Sequence, residues 1–262
     1  MRLGRIIKSW SREGFVDAKD MGLEFVEFCC NSQKDAEKFI AMKDEIRASS
    51  RETGIDIASV GRWNHDVQEN GALVPERRES YFALMRAAAE LGAKVFVCGI
   101  NYDGTLSLYK NYQNAIAFLG ELTEEGKRLG IRVAVQNCNW NNFIVSPREW
   151  EVVLGEIPEL MIKFDPSHSY NRGADYLKEL SDWGERVAYF HVKGTVHAGS
   201  RAVDDPPAGM DDIAWPSVFA VLYSRGYDGD LSIEPHSSVW HGELGTAGVK
   251  FTIDYIRRFI LK

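Results

Sequence analysis

Four apolar runs in the second half of the sequence end in polar residues. VAVQNCNW carries Gln136, Asn137 and Asn139, and IKFDPSHS carries Asp165 and His168. YFHVKG carries His191 and Lys193, and LSIEPHS carries Glu234 and His236. A charge that directly follows an apolar core is costly to bury alone. Asp165, His191 and Glu234, if brought to one place, would repel or stay unsatisfied unless a cation sat among them. Oxygen donors from Asp, Glu and Gln136 with one imidazole nitrogen form a mixed hard site suited to Mn²⁺, Mg²⁺ or Co²⁺. Zn²⁺ is also compatible, although no thiolate favours it. Each residue has a plainer reading when taken singly: a helix N-cap or ion-pair partner for the acids, a hydrogen-bonded core residue for the histidine. Their order on consecutive run ends is what points to a shared site. His168 and Lys193 read as groups facing a substrate rather than as ligands.

The elements that must position these residues recur as a short apolar run followed by a longer amphipathic stretch. Candidate strands are Leu3–Lys8, Phe25–Cys30, Asp56–Trp63, Lys94–Ile100, Arg132–Asn139, Met161–His168, Arg186–Gly194 and Asp230–His236. Several are nearly continuous hydrophobic runs, as expected of parallel strands buried on both faces. Between them, helical patterns span Lys34–Thr53 before Gly54, Pro75–Leu91 before Gly92, Asn111–Leu129 before Gly130 and Pro147–Leu154 before Gly155. Glycine in each place suits a helix C-cap. A closing helix, Gly248–Leu261, sets Phe251, Tyr255 and Phe259 on one stripe as its docking face. Alternating strands and helices imply a parallel sheet with right-handed crossovers. Eight such units over residues 1–262 predict a single-domain (β/α)8 barrel. In that architecture the carboxyl ends of the strands carry the chemistry, which is where the polar residues fall. No GxGxxG opens a helix after the first strand, so the usual mark of a dinucleotide site is absent.

Composition narrows the function further. With 38 acidic residues against 31 Lys plus Arg, the chain lacks the electrostatic footprint of a nucleic-acid binder. No segment approaches the roughly 18 apolar residues of a membrane span, and the N-terminal stretch lacks a signal-peptide core. Cys29, Cys30, Cys98 and Cys138 show no CxxC spacing and fall in apolar runs, so buried free thiols and a cytoplasmic location are expected.

With its motifs in this order, the sequence resembles the sugar phosphate isomerase/epimerase superfamily, the xylose isomerase-like TIM barrels. The nearest patterns are the ketose 3-epimerases of the tagatose 3-epimerase type and the inosose dehydratases. The resemblance runs from LEFVEF to LSIEPHS and the final helix. It implies one divalent cation, commonly Mn²⁺, held by residues on strands five to eight, three of which match Asp165, His191 and Glu234. His168 matches a substrate-contacting histidine. The first ligand departs from the pattern: where the family has Glu, this chain has Gln136. Gln can offer a carbonyl oxygen to a metal but cannot act as a base, so two-base epimerisation loses one of its bases. Glu234 remains to move a proton between adjacent carbons of an enediolate, or to begin a β-elimination. The alternatives are an inosose dehydratase-like lyase and a non-catalytic carbohydrate-binding barrel. Endonuclease IV shares the D-x-x-H spacing of Asp165 and His168. Its three-zinc site needs further histidines, for which this chain has Asp204-Asp205-Pro206-Pro207 and Gly99-Ile100-Asn101 instead.

A small carbohydrate or cyclitol partner would need aromatic faces and hydroxyl-binding groups. Trp63, Trp140 and Trp240 lie beyond strand ends; His65, Asn137, Arg201 and His236 could bind substrate polar groups. The loop 194–212 is long enough to form a lid. A homodimer or tetramer is a family-level expectation only.

Overall fold

The computed structural model describes residues 1–261. Eight parallel strands, β1 (Arg2–Ile6), β2 (Phe25–Cys30), β3 (Asp56–Arg62), β4 (Val95–Cys98), β5 (Arg132–Gln136), β6 (Met161–Phe164), β7 (Val187–Val192) and β8 (Asp230–Ile233), close into a barrel. Every strand pairs with its neighbours in sequence, and β8 returns to β1 through the register Arg2↔Asp230 to Arg5↔Ile233. Ten α-helices are described: α1 (Arg12–Asp20), α2 (Gln33–Ala41), α3 (Lys43–Thr53), α4 (Pro75–Glu90), α5 (Leu108–Leu129), α6 (Pro147–Glu156), α7 (Pro166–Asn171), α8 (Tyr176–Trp183), α9 (Trp215–Ser224) and α10 (Gly242–Ile256). The expected (β/α)8 barrel is therefore the observed fold.

Strand periodicity divides the core in two. Outward residues such as Val26, Phe28, Phe96, Val133 and Phe190 join the helices in one large hydrophobic layer. Inside the barrel, Phe25, Val95, Val97, Ala134 and Tyr189 form a smaller cluster. The same inward parity carries Glu27 after Phe25, Gln136 after Ala134, Asp165 after Lys163, His191 and Lys193 after Tyr189, and Glu234 after Ser232. The barrel floor is thus partly apolar and its upper half polar.

Most strands are shorter than their sequence patterns, because their last polar residues leave the ladder to build the mouth. The change is sharpest after β6. Asp165 becomes the N-cap of α7, with Pro166 in its first turn, so 165–168 is a strand exit and helix start, not strand. The helical stretch 34–53 divides at Met42, which ends α2 and begins α3. Gly54 (φ +73°) and Gly130 (φ +72°) do end helices in the left-handed conformation. Gly155 does not: it lies within α6, which runs on to Glu156. The last helix starts earlier than expected, at Gly242. Its buried face is Gly248, Val249, Thr252, Ile253 and Ile256, while Phe251 is exposed. Of the stripe Phe251, Tyr255 and Phe259, the last two pack against the core beside that face, and Tyr255 also stacks on Phe251. Finally, loop 194–212 contains an antiparallel hairpin, Val196–Ala198 with Arg201–Asp204.

Candidate metal centre

Asp165, His191 and Glu234 emerge from β6, β7 and β8 with one donor atom each, all within 4.8 Å of one another. The buried Asp165 divides its two oxygens. Oδ1 caps α7, accepting from Ser167 N at 2.9 Å and Ser167 Oγ at 2.7 Å. Oδ2 is buried with no hydrogen-bond partner. Around Oδ2 stand His168 Nε2 at 3.5 Å, Lys163 Nζ at 3.8 Å and Lys193 Nζ at 3.9 Å. The spacing D-x-x-H thus does two things: the aspartate starts the helix, and the first helical turn returns His168 to the same carboxylate.

His191 is fully buried between two acids, with Nδ1 2.9 Å from Glu234 Oε2 and Nε2 2.9 Å from Glu27 Oε2. Glu27 is therefore part of the centre, and the sequence reading missed it. If Nε2–H donates to Glu27, the Nδ1 lone pair is free on the side of Glu234 and Asp165. A carboxylate fixing the far nitrogen of a histidine ligand is how metal sites set tautomer and ring orientation. Behind these groups the ammonium of Lys163, also missed, is completely buried and lies 4.6 Å from the Trp63 ring centre.

Gln136 ends β5 with its amide nitrogen donating to the Trp63 carbonyl (3.2 Å) and lying 2.9 Å from His65 Nε2. Its Oε1 is buried and unpartnered. The unpartnered Asp165 oxygen and the His191 and Glu234 donors within 4.8 Å of it are a set that a divalent cation would satisfy. The donor set of oxygens with one nitrogen fits such an ion and does not select among Mn²⁺, Mg²⁺, Co²⁺ and Zn²⁺.

Charge organises the centre. Burial pushes the Asp165 and Glu234 carboxyls up, but their neighbours outweigh it: Lys193, His168 and Lys163 for Asp165, Lys193 and the hydrogen bond from His191 for Glu234. Asp165 ends below its ordinary value and Glu234 well below. Burial pulls His191 down, yet Glu27 and Glu234 hold it above its usual value. Burial also pulls Lys193 down, and Glu234, Asp165 and Asp205 more than reverse this. His168 is lowered to about 3 by burial and by Lys193, so it is a neutral imidazole at pH 7.

The remaining candidate residues separate clearly. A cavity of about 740 Å³ opens over the strand ends, with Trp63, Trp140, His168, Lys193, Glu234 and His236 in its wall. Trp140 is 47% exposed and available to a ligand; Trp63 is nearly buried beside His191, with ring centres 5.4 Å apart. His236 is held at 3.0 Å by Asp205 of the 194–212 segment. Asn137 does not face the cavity. Its amide donates to the Asp165 carbonyl and Ser169 Oγ and accepts from Asp165 N, so it fixes Asp165 from behind. His65 lies outside this cavity wall, buried against Gln136 and Tyr81. Arg201 is exposed on the hairpin and also stands outside the wall. His241 precedes α10 on the cavity rim. Cys30 and Cys98 are buried as expected, whereas Cys29 and Cys138 are half-buried in the cavity wall; all four are free thiols.

A closed (β/α)8 barrel whose mouth gathers a buried Asp–His–Glu cluster able to hold a divalent ion defines a class of metal-competent TIM barrels. Residues 15–258 match the family of xylose isomerase-like TIM barrels, and the chain belongs to that family. Among solved structures it is similar to a 3-keto-D-glucoside 4-epimerase of E. coli, at 16% identity and a TM-score of 0.77, covering 98% of this chain and 99% of that one. It is also similar to a D-psicose 3-epimerase of Clostridium cellulolyticum H10, at 14% identity and a TM-score of 0.79 over the whole of both chains. A third is a D-allulose 3-epimerase of Methylomonas sp., at 19% identity and a TM-score of 0.76, covering 99% and 98%. At these identities the likeness is one of fold. No curated protein sequence matches. Among the described residues no helix is long and apolar enough to cross a membrane.

Proposed function

We propose that this protein is a divalent-metal-dependent enzyme that moves a proton next to a carbonyl of a ketose or cyclitol. The observation that carries the reading is the convergence of Asp165, His191 and Glu234 donors within 4.8 Å, with Glu234 in the wall of a cavity large enough for a sugar. Asp165, His191, Glu234 and the Gln136 carbonyl oxygen would hold the ion, with Mn²⁺ the first choice to test. When bound, it would polarise the substrate carbonyl and an adjacent hydroxyl and stabilise enediolate charge. Glu234 is the base: its carboxylate, open to the cavity, takes a proton from one carbon and returns it to the next. The cations that keep Glu234 ionised also make it a weak base, so the reaction depends on stabilising the anion formed. Lys193 supplies an ammonium for that purpose, 3.4 Å from His168 Nε2. His168, neutral, offers a ring nitrogen to a substrate hydroxyl, and Trp140 an aromatic face to its C–H groups.

Gln136 favours one-base chemistry, isomerisation or β-elimination as in an inosose dehydratase, over two-base inversion. The epimerases among the structural neighbours act on keto sugars, which supports substrates of that class. The test is to determine bound metal in the purified protein, then incubate ketoses, 3-keto-glucosides and inososes in D₂O. NMR follows deuterium entry and any loss of water. Metal-dependent deuterium entry that disappears in Glu234→Gln is the expected result. Saturable sugar binding with no exchange across the panel would reject the catalytic reading in favour of a binding barrel.

A further inference from the structure

We infer that His65 is a positioning residue which, with the Trp63 carbonyl, locks the Gln136 side chain in one amide orientation, so that position 136 is built for a neutral oxygen donor and not for a carboxylate. The lock is independent of the proposed function; its effect on metal affinity rests on Gln136 lying in the metal site as proposed above.

The geometry fixes each proton in turn. A backbone carbonyl can only accept, so the Gln136 atom 3.2 Å from Trp63 O must be the amide nitrogen. That nitrogen's second hydrogen meets His65 Nε2 at 2.9 Å, which must therefore present its lone pair. The His65 proton is then on Nδ1, 3.2 Å from the buried Tyr81 hydroxyl of α4, which accepts it. Both amide hydrogens are used, and Oε1 is left without a partner.

The neighbouring backbone is shaped for the same arrangement. A Cβ at Gly99, just beyond β4, would meet His65 Nε2 at 2.6 Å and Asn142 Oδ1 at 2.7 Å. Asn142 in turn donates to the Gln136 carbonyl at 2.8 Å, holding the main chain of the residue whose side chain His65 holds. A glutamate at 136 would satisfy none of this: its oxygen would face the Trp63 carbonyl with no proton between them. His65 would also have to move its own proton to Nε2. The surroundings thus select glutamine.

Two measurements on the intact chain test the inference. In metal-free protein, ¹⁵N NMR of histidine should show His65 protonated on Nδ1 and bare on Nε2; in Gln136→Glu it should become protonated on Nε2. A wild-type His65 carrying its proton on Nε2 would overturn the lock. Mn²⁺ titration tests the consequence. His65→Phe should weaken Mn²⁺ binding about tenfold or more, as loss of a supporting partner does. In a Gln136→Ala background the same change should alter it less than twofold. Equal weakening in both backgrounds would overturn the claim that His65 acts through Gln136. Should His65→Phe not fold, Tyr81→Phe replaces it, with a shift of His65 tautomer and weaker Mn²⁺ binding only when Gln136 is present. A protein that binds no Mn²⁺ but shows the stated tautomers would refute the metal reading and leave the lock standing.

Discussion

His65 has a measurable signature in stability. Burial, and secondarily the Arg62 guanidinium, lowers its pKa to about 3, against an unfolded value near 6.5. The imidazole therefore enters the fold neutral, and charging it requires unfolding. The sign follows from linkage. A group with a depressed folded pKa contributes fully above its unfolded pKa and loses that contribution as pH falls toward the folded value. Integrated from pH 7, the loss for this one residue is about 1 kcal/mol at pH 5.5 and between about 2 and 3 kcal/mol at pH 4.5. Other groups titrate over the same range: His168 in the same direction, His191 and His236 in the opposite one. The useful quantity is thus a difference. Urea unfolding of wild type and His65→Phe, followed by tryptophan fluorescence in chelator, gives two stability profiles that share every other titration. Wild type should start out more stable, because the variant strands an amide hydrogen of Gln136. Its advantage should shrink by the stated amounts between pH 7 and 4.5. A gap independent of pH would refute the neutral, buried imidazole, and a gap that widens in acid would mean that His65 is charged in the folded state.

Two further outcomes follow from the same contacts. Asp165→Asn can still cap α7 through Oδ1 but loses the charge at Oδ2. In chelator its melting temperature should stay within a few degrees of wild type. Mn²⁺ at a hundred times its Kd should raise wild type by about 5–10 °C, from a linkage energy of about 2.7 kcal/mol, and the variant by less than 2 °C. Gly99→Ala pushes a methyl group into His65 and Asn142, and should cost about 1–3 kcal/mol in chemical denaturation; full stability would show that the two side chains are not fixed there.

What could be read from the sequence was governed by contrast. Eight strands stood out because both faces of each are buried, giving apolar runs of the right length. Asp165, His191 and Glu234 stood out because each breaks such a run at its carboxyl end. Glu27 and Lys163 carry the same kind of charge but sit inside their runs, in FVEFCC and MIKF. A lone charge mid-strand could point either way; only closure of the barrel puts both at its centre, against His191 and Asp165. His65 reads from the sequence as a substrate-binding candidate, yet its partner Gln136 lies on β5, and nothing local predicts that pairing. Helix ends divided along similar lines. Gly54 and Gly130 mark real termini. The break at Met42 has no Gly or Pro to announce it, and Gly155 sits in a helix whose packing carries it one residue further.

The three residues that depart most from an ordinary barrel interior, Glu27, Gln136 and Lys163, make sense together. Glu27, Asp165 and Glu234 bring three carboxylates to the barrel mouth, and Lys163 and Lys193 bring two ammonium groups. With His191 in the neutral form that a metal ligand needs, these five groups sum to one net negative charge. A divalent cation would reverse that to one net positive charge, and an enediolate forming in the cavity would cancel it. A glutamate at 136 would leave the same intermediate in a net negative site, where low dielectric makes a surplus charge expensive. In this barrel the neutral amide, held by His65 and Trp63, is the electrostatic counterpart of the buried Lys163. Under the proposed function, the two together would shift the centre toward anion stabilisation and away from a second base.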